Sequence, residues 1–347
     1  MIKLILDAMG GDNAPGEIVK GAVQALEEQK DLYLILMGRE EAVNAELAKY
    51  SYDAARVEVV NCTEVIEMND IPTEAIKKKK DSSLVKGLWM LKKEDEIGGF
   101  VTAGSTGATI VGGQLIVGRI RGVNRAALCP ALPSKNGGMT LLCDSGANAE
   151  CKPQMLCQFA VLASAYAKTT YGVAEPTVGL LNNGTEEHKG DPVHQEAYQM
   201  MKKTDAINFV GNVEGREINY GDTDIVVADG FSGNTTLKGI EGCGKLVLDE
   251  IKKMFTSSLW SKIGYALFLR KAVKGMRKKL DFEQYGGALL LGVKKVVVKT
   301  HGSSKAKSIV AALRQAGNAV RGNTVQAMEA ELAKVDWEHL VDESSNG

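Results

Sequence analysis

Excess charge of either sign is missing from this chain. Its 347 residues hold 42 Lys and Arg against 43 Asp and Glu, a net charge of −1. No global field draws the protein to nucleic acid, and none is expected as a partner. Aromatics are sparse at 5%, and there are only 7 prolines. With 44% hydrophobic and 24% charged residues the composition excludes disorder and a collagen-like repeat. No apolar run approaches the roughly 18–20 residues of a bilayer-spanning helix. The opening MIKLILDAMGGD is too short an apolar run for a secretory leader, and Asp7 ends it at once. A cytoplasmic protein is therefore expected. The six cysteines form no CxxC pair and have no histidine at zinc-finger spacing, which suits free thiols in a reducing compartment. HExxH, GxSxG and a Walker GK[ST] ending are all absent, as is GxGxxG after the first apolar run. Zinc hydrolysis, a serine elbow and a dinucleotide fingerprint lose their support. Asp7, Asp12, Asp144 and Asp229 could hold Mg²⁺, but aspartates at such positions more often cap turns. No metal is expected.

What is abundant is glycine, 38 residues gathered in short motifs. Glycine at that density suggests loops where backbone must approach something closely. Between them, short β-branched runs alternate with helical patterns. Strands are predicted at 2–6, 32–36, 57–60, 100–102, 140–143, 177–181, 207–210, 225–228, 288–291 and 296–299. Helices are predicted at 16–29, 40–49, 82–93, 106–117, 153–169, 192–203, 234–255 and 304–317. The alternation implies an α/β fold with a largely parallel sheet sandwiched by helices. Composition marks no domain boundary. Residues 1–334 read as one α/β domain with a helical protrusion over 250–281, and 335–347 as a polar C-terminal tail.

In such sheets ligands sit beyond the carboxyl ends of the strands. Five predicted strands empty into polar, Gly-rich loops there: 7–15, 103–108, 144–148, 182–190 and 229–234. One loop of this kind is ordinary turn chemistry; five read as the rim of one pocket. The turn Gly104, Ser105, Thr106, Gly107 feeds a helix whose first N–H groups and dipole favour an anion. Its plain alternative is an N-cap by Ser105 or Thr106. Lys189 sits among Asn183, Gly184, Glu186, Glu187 and His188. It can meet a phosphate as a point charge or aid a leaving group, or else simply pair with its own glutamates. His194, in the next helix, reads as a helix-face residue close enough to Lys189 to matter. Asn234, after Gly233, offers an amide to an oxyanion, or Ser232 or Asn234 caps the helix. Together these are neutral and cationic donors suited to positioning phosphate and stabilising an oxyanion.

Between Glu250 and Asp281 there is no acidic residue but nine Lys and Arg. Apolar residues recur at helical steps, Leu259, Ile263 and Leu267 among them, with Trp260 widening the apolar face and Lys262, Arg270, Lys271 and Lys274 supplying charge. Such a segment suits an anionic membrane surface or an acidic carrier protein. The bland alternative is packing against a second copy.

Taken in order, the motifs DAMGGDNAP (7–15), TAGSTGA (102–108), DSGAN (144–148), NNGTEEHKG (182–190), DGFSGN (229–234), GGALLLGV (286–293) and HGSS (301–304) resemble the phosphate acyltransferase (PlsX) family of bacterial phospholipid synthesis. The resemblance spans residues 1–333. It implies transfer of a long-chain acyl group from acyl carrier protein to inorganic phosphate. The fold it implies is similar to isocitrate and isopropylmalate dehydrogenases and to phosphate acetyltransferases. It also implies a homodimer, peripheral membrane association, no cofactor, and a downstream glycerol-3-phosphate acyltransferase that takes the product. Its lysine and asparagine fall on Lys189 and Asn234. Phosphate would sit at Ser105–Gly107, in a pocket shaped by Asp12, Asn13, Ala14 and Asn148. The rival readings are a coenzyme A-dependent phosphate acetyltransferase, a metal-dependent dehydrogenase of the same fold, and a membrane scaffold.

Overall fold

The computed structural model describes residues 1–279, 282–338 and 340. Most of the expected tail, residues 339 and 341–347, lies outside them, as do Leu280 and Asp281 at the end of the expected protrusion. The described strands are β1 (Ile2–Asp7), β2 (Leu32–Gly38), β3 (Val57–Asn61), β4 (Ile97–Thr102), β5 (Ala127–Pro133), β6 (Met139–Cys143), β7 (Thr177–Asn182), β8 (Asn208–Glu214), β9 (Ile225–Val227), β10 (Ala288–Leu291) and β11 (Val296–Lys299). They form a single sheet in the order β3-β2-β1-β4-β11-β10-β5-β6-β9-β7-β8.

Most neighbours run parallel, but the sheet has two senses. Strands β3, β2, β1, β4 and β11 are mutually parallel, and so are β6, β9, β7 and β8. Between these blocks β10 pairs antiparallel with β11 and β5, and β5 pairs antiparallel with β6. The two blocks therefore point in opposite directions. The five polar loops do not share one edge, as the sequence suggested. Those after β1 and β4 end strands of one block; those after β6, β7 and β9 end strands of the other.

The strands read as unbroken apolar runs because both faces are covered. In β1, Leu4 and Leu6 join one core cluster and Ile5 the opposite one; in β11, Val296 and Val298 face one side and Val297 the other. Each such side chain contributes about 1.5–3 kcal/mol by leaving water. Helices Gly16–Glu28, Pro153–Tyr171 and Ala306–Arg321 cover the first face. Helix Ser83–Lys93 covers part of the second, and Leu237 and Ile240 of helix Gly230–Thr256 pack on a separate cluster of that face around Leu142 and Val226. Between those two clusters lies a gap over β5.

Five differences from expectation have physical causes. Strand β5 is hidden in the sequence by Pro130 and Pro133, which read as strand breakers. Helix Pro72–Lys78 is hidden by its lysines, and helix Thr324–Ala333 begins after Asn323 in a left-handed conformation, which reads as a turn. Helix Ala306–Arg321 runs past Gly317, which packs against Gln29 rather than ending it. The helix expected from Asn234 starts at Gly230, capped by Asp229 and not by Ser232 or Asn234.

Candidate active site

The loop after β1 is set by one buried carboxylate. Asp7 accepts hydrogen bonds from Thr102 Oγ1 (2.7 Å) and the Met9 amide (3.1 Å), and Thr102 Oγ1 accepts from the Gly104 amide (2.8 Å). Burial pushes the Asp7 carboxyl up, against hydrogen bonds from Ser83 and Thr102 that favour its charge. The loop after β11 joins this group. The Asp12 amide donates to Gly302 O (2.8 Å), and Asn13 Nδ2 donates to the carbonyls of Ser303 and Ser304 (3.0 and 3.2 Å). Ala14 is half-buried beside them. The expected anion turn follows β4. Ser105 Oγ accepts from the Ala108 amide (3.4 Å), so Ser105 is the cap of helix Thr106–Gly112. Helix geometry leaves the amides of Thr106 and Gly107 without an intrahelical acceptor. Gly107 has no room for a side chain, because a Cβ would stand 2.6 Å from Pro72 Cγ.

In the opposite block the buried Asp144 does the same work. Its carboxylate accepts from the amides of Leu128, Gly146, Ala147 and Asn148 and from Asn148 Nδ2 (2.8–3.2 Å). Asn148 Nδ2 also donates to Ala126 O (2.8 Å). Both amide hydrogens of Asn148 are thus spent within the protein, and it shapes the loop. The first turn of helix Gly230–Thr256 presses on this loop. A Cβ on Gly230 would lie 2.5 Å from Asn148 O, and one on Gly233 would overlap Asp144 O. That contact sets Asn234 over Gly146, 3.5 Å from where a side chain there would begin.

Loop 182–190 is pinned from both sides. Asn182 Nδ2 donates to Lys189 O and Asn212 Oδ1 (both 3.1 Å), and Asn212 Nδ2 donates to Glu186 O (2.8 Å). Gly190 has φ +93° and would place a Cβ 2.8 Å from Asn182 Oδ1 and 2.9 Å from His194 Cβ. Lys189 does not pair with its own glutamates: Glu187 is taken by Lys202 (3.1 Å) and Gln199 (2.8 Å). Among the described residues the Lys189 ammonium has no ion pair. Its stem crosses Gly184, while Asn183 is exposed. His194 Nδ1 lies 2.9 Å from Asp191, and Nε2 lies 3.7 Å from Asp229, the cap that starts the Asn234 helix.

A cavity of about 830 Å³ fills the gap over β5. Leu128, Pro130 and Leu132 form its floor, a span of about 13 Å along the strand. Asp12, Thr106 and residues 299–304 line it from one block; Ser145, Gly146, Asn234, Leu237 and Lys238 line it from the other. Opposed strand ends therefore reach one space because it runs the length of β5. Of the five loops, 182–190 does not line it; His194 links that loop, with Asn183, Gly184 and Lys189, to the site through its contact with Asp229.

Sequence reasoning passed over Lys299, which ends a valine-rich strand and lines the cavity while only 7% exposed. Burial pushes its ammonium down to about 8, helped by Lys238 and opposed by the Asp7 and Asp12 carboxylates. The available signal was a lone lysine closing a run otherwise fit only for the core.

Away from the cavity, residues 259–269 include no buried side chain. Trp260 (81%), Phe268 (80%) and Leu259 (71%) are largely exposed, beside exposed Lys262, Ile263, Leu267, Arg270, Lys271 and Lys274. Among the described residues no helix is long and apolar enough to cross a membrane.

The fold is shared with proteins of known structure. The structure superposes on a phosphotransacetylase from Streptococcus pyogenes with a TM-score of 0.57 at 19% identity, covering 92% of this chain and 94% of that one. A 4-hydroxythreonine-4-phosphate dehydrogenase from Salmonella typhimurium gives 0.52 at 12%, covering 92% and 99%. The sequence goes further. Residues 2–327 match the family described as fatty acid synthesis protein. The phosphate acyltransferase of Clostridium tetani is 46% identical over 338 residues, 97% of this chain and 100% of that one. That of Thermoanaerobacter pseudethanolicus is 44% identical over 331 residues, 95% and 97%. The chain belongs to the phosphate acyltransferase family and is an acyltransferase.

Proposed function

We propose that the protein moves a long-chain fatty acyl group from acyl carrier protein to inorganic phosphate, giving acyl phosphate for phosphatidic acid synthesis. A phosphate oxygen attacks the thioester carbonyl, the C–S bond breaks from the tetrahedral oxyanion, and the thiolate takes up a proton as free carrier. Thiols ionise near pH 8.5, so the thiolate departs without a strong acid. The amides of Thr106 and Gly107 hold phosphate beside Gly104 and Ser105, in a loop braced by Asp12, Asn13 and Ala14. Asn234 donates to the oxyanion. Lys189, its charge uncommitted, adds positive potential from the adjoining loop, and His194 ties that loop to the Asn234 helix through Asp229. No cofactor takes part.

The observation that carries this reading is the cavity itself. It sets amide and hydroxyl donors opposite Asn234 across an apolar floor fit for an acyl chain. The exposed segment around Leu259, Trp260 and Ile263, with its lysines, rests on an anionic membrane surface. There the cytoplasmic homodimer passes its product to a glycerol-3-phosphate acyltransferase. The test is mass spectrometry of products from a long-chain acyl carrier protein plus phosphate, with and without chelator. Acyl phosphate in both samples is expected; its absence, or its formation only from coenzyme A thioesters, rejects the reading.

A further inference from the structure

Three buried side-chain polar atoms lack a hydrogen-bond partner among the described residues: Gln29 Nε2, Thr300 Oγ1 and Ser308 Oγ. Two of the three line the one cavity over β5. Thr300 is 2% exposed and Ser308 3%, and Lys299 stands next to them. Buried hydroxyls ordinarily find partners, so two orphans on one cavity wall point to a group that arrives with a ligand. The charge beside them says what kind. Alternation along β11 puts Lys299 on the face of Val297, the cavity side. Its Nζ donates to Thr300 O, which leaves two of three protons unspent. Among the described residues it makes no ion pair. Lys238, the cation nearest in effect, is occupied by Glu241 at 2.7 Å.

We infer that Lys299 Nζ, Thr300 Oγ1 and Ser308 Oγ form a binding subsite for a phosphate oxyanion. The backbone places it beside the anion turn expected after β4. Lys299 is in register with Thr102, and the Thr300 amide donates to Thr102 O (2.8 Å), so this wall adjoins the amides of Thr106 and Gly107. A helix start supplies two N–H groups from one side; an ammonium and two hydroxyls supply the other. A tetrahedral anion with acceptors on every oxygen fits between such donors. The inference deepens the acyl-transfer reading and rests on it for the choice between two sources of the anion. These are free orthophosphate as acyl acceptor and the phosphate ester carried by the thioester donor.

The test uses the full chain, calorimetric titration with sodium phosphate, and steady-state kinetics. The variants are Lys299→Met and the double variant Thr300→Val with Ser308→Ala, which removes only hydroxyls and serves alone if Lys299→Met does not fold. Weakening of orthophosphate binding by tenfold or more, with KM for phosphate rising equally and KM for the thioester within twofold, establishes the subsite for free phosphate. Unchanged orthophosphate binding with a tenfold rise in KM for a donor bearing the phosphate ester, and no rise for one lacking it, establishes it for the donor. Phosphate binding that depends on Lys299 in an enzyme making no acyl phosphate upholds the subsite and sinks the acyl-transfer reading. If neither phosphate binding nor either KM changes in a folded variant, the subsite is refuted.

Discussion

Replacing Lys299 by methionine should stabilise the protein while impairing it. Burial holds the ammonium near pKa 8 against an ordinary 10.5. A shift of about 2.5 units corresponds to about 3 kcal/mol. The sign follows from proton counting. Below pH 8 the lysine is charged in both states, and folding carries the whole desolvation cost. From pH 8 to 10.5 the folded lysine is neutral and the unfolded one charged, so the cost fades; above 10.5 it is gone. Wild-type stability from this group therefore rises with pH through that window. Methionine keeps the unbranched stem and removes the charge. In phosphate-free buffer, urea unfolding should show Lys299→Met more stable by up to about 3 kcal/mol at pH 7, less than half of that at pH 9.5. Phosphate narrows that gap. At one hundred times the wild-type dissociation constant it adds about 2.7 kcal/mol to wild type, and only about 1.4 kcal/mol to a variant that binds it ten times more weakly. A stability gap independent of pH, or equal stabilisation of both proteins by phosphate, refutes the reasoning.

Other outcomes are equally specific. Asn234→Ala should lower turnover by about 10²–10³-fold as an oxyanion donor is lost, and Lys189→Ala, which acts from the adjoining loop, by clearly less; near-normal turnover in folded Asn234→Ala rejects the donor role. Gly233→Ala forces a Cβ into Asp144 O, and overpacking of this kind costs about 1–3 kcal/mol. Displacing Asn234 by about 1 Å should cost roughly 10²-fold in kcat, and unchanged unfolding and kinetics count against the helix start as a rigid mount. Leu259→Glu with Ile263→Glu should abolish co-sedimentation with anionic vesicles and spare catalysis in solution. Unchanged sedimentation favours packing against a second copy.

Buried strands such as β1, β2 and β11 were legible because burial on both faces demands unbroken apolar runs, which no loop or surface helix shows. Glycine was legible as a sign of close approach but not of what approaches. Gly230 and Gly233 read as loop and prove to be helix, since the constraint on them comes from Asn148 and Asp144, more than 80 residues earlier. Ser105 reads as a cap or an anion donor, and in the structure its hydroxyl caps the helix. The sequence leaves Lys189 open to pairing with its own glutamates; only the fold shows Glu187 drawn away by Lys202.

Local pattern thus determined the α/β class, most elements and the motif set that marks the family, because each depends on neighbours within a few residues. Tertiary structure decided the opposed senses of the two blocks, the gap over β5, and the meeting of Asn234 with Thr106 and Lys299 across it. Strand order and direction are set by which apolar faces pack together over long separations. No periodicity records that choice.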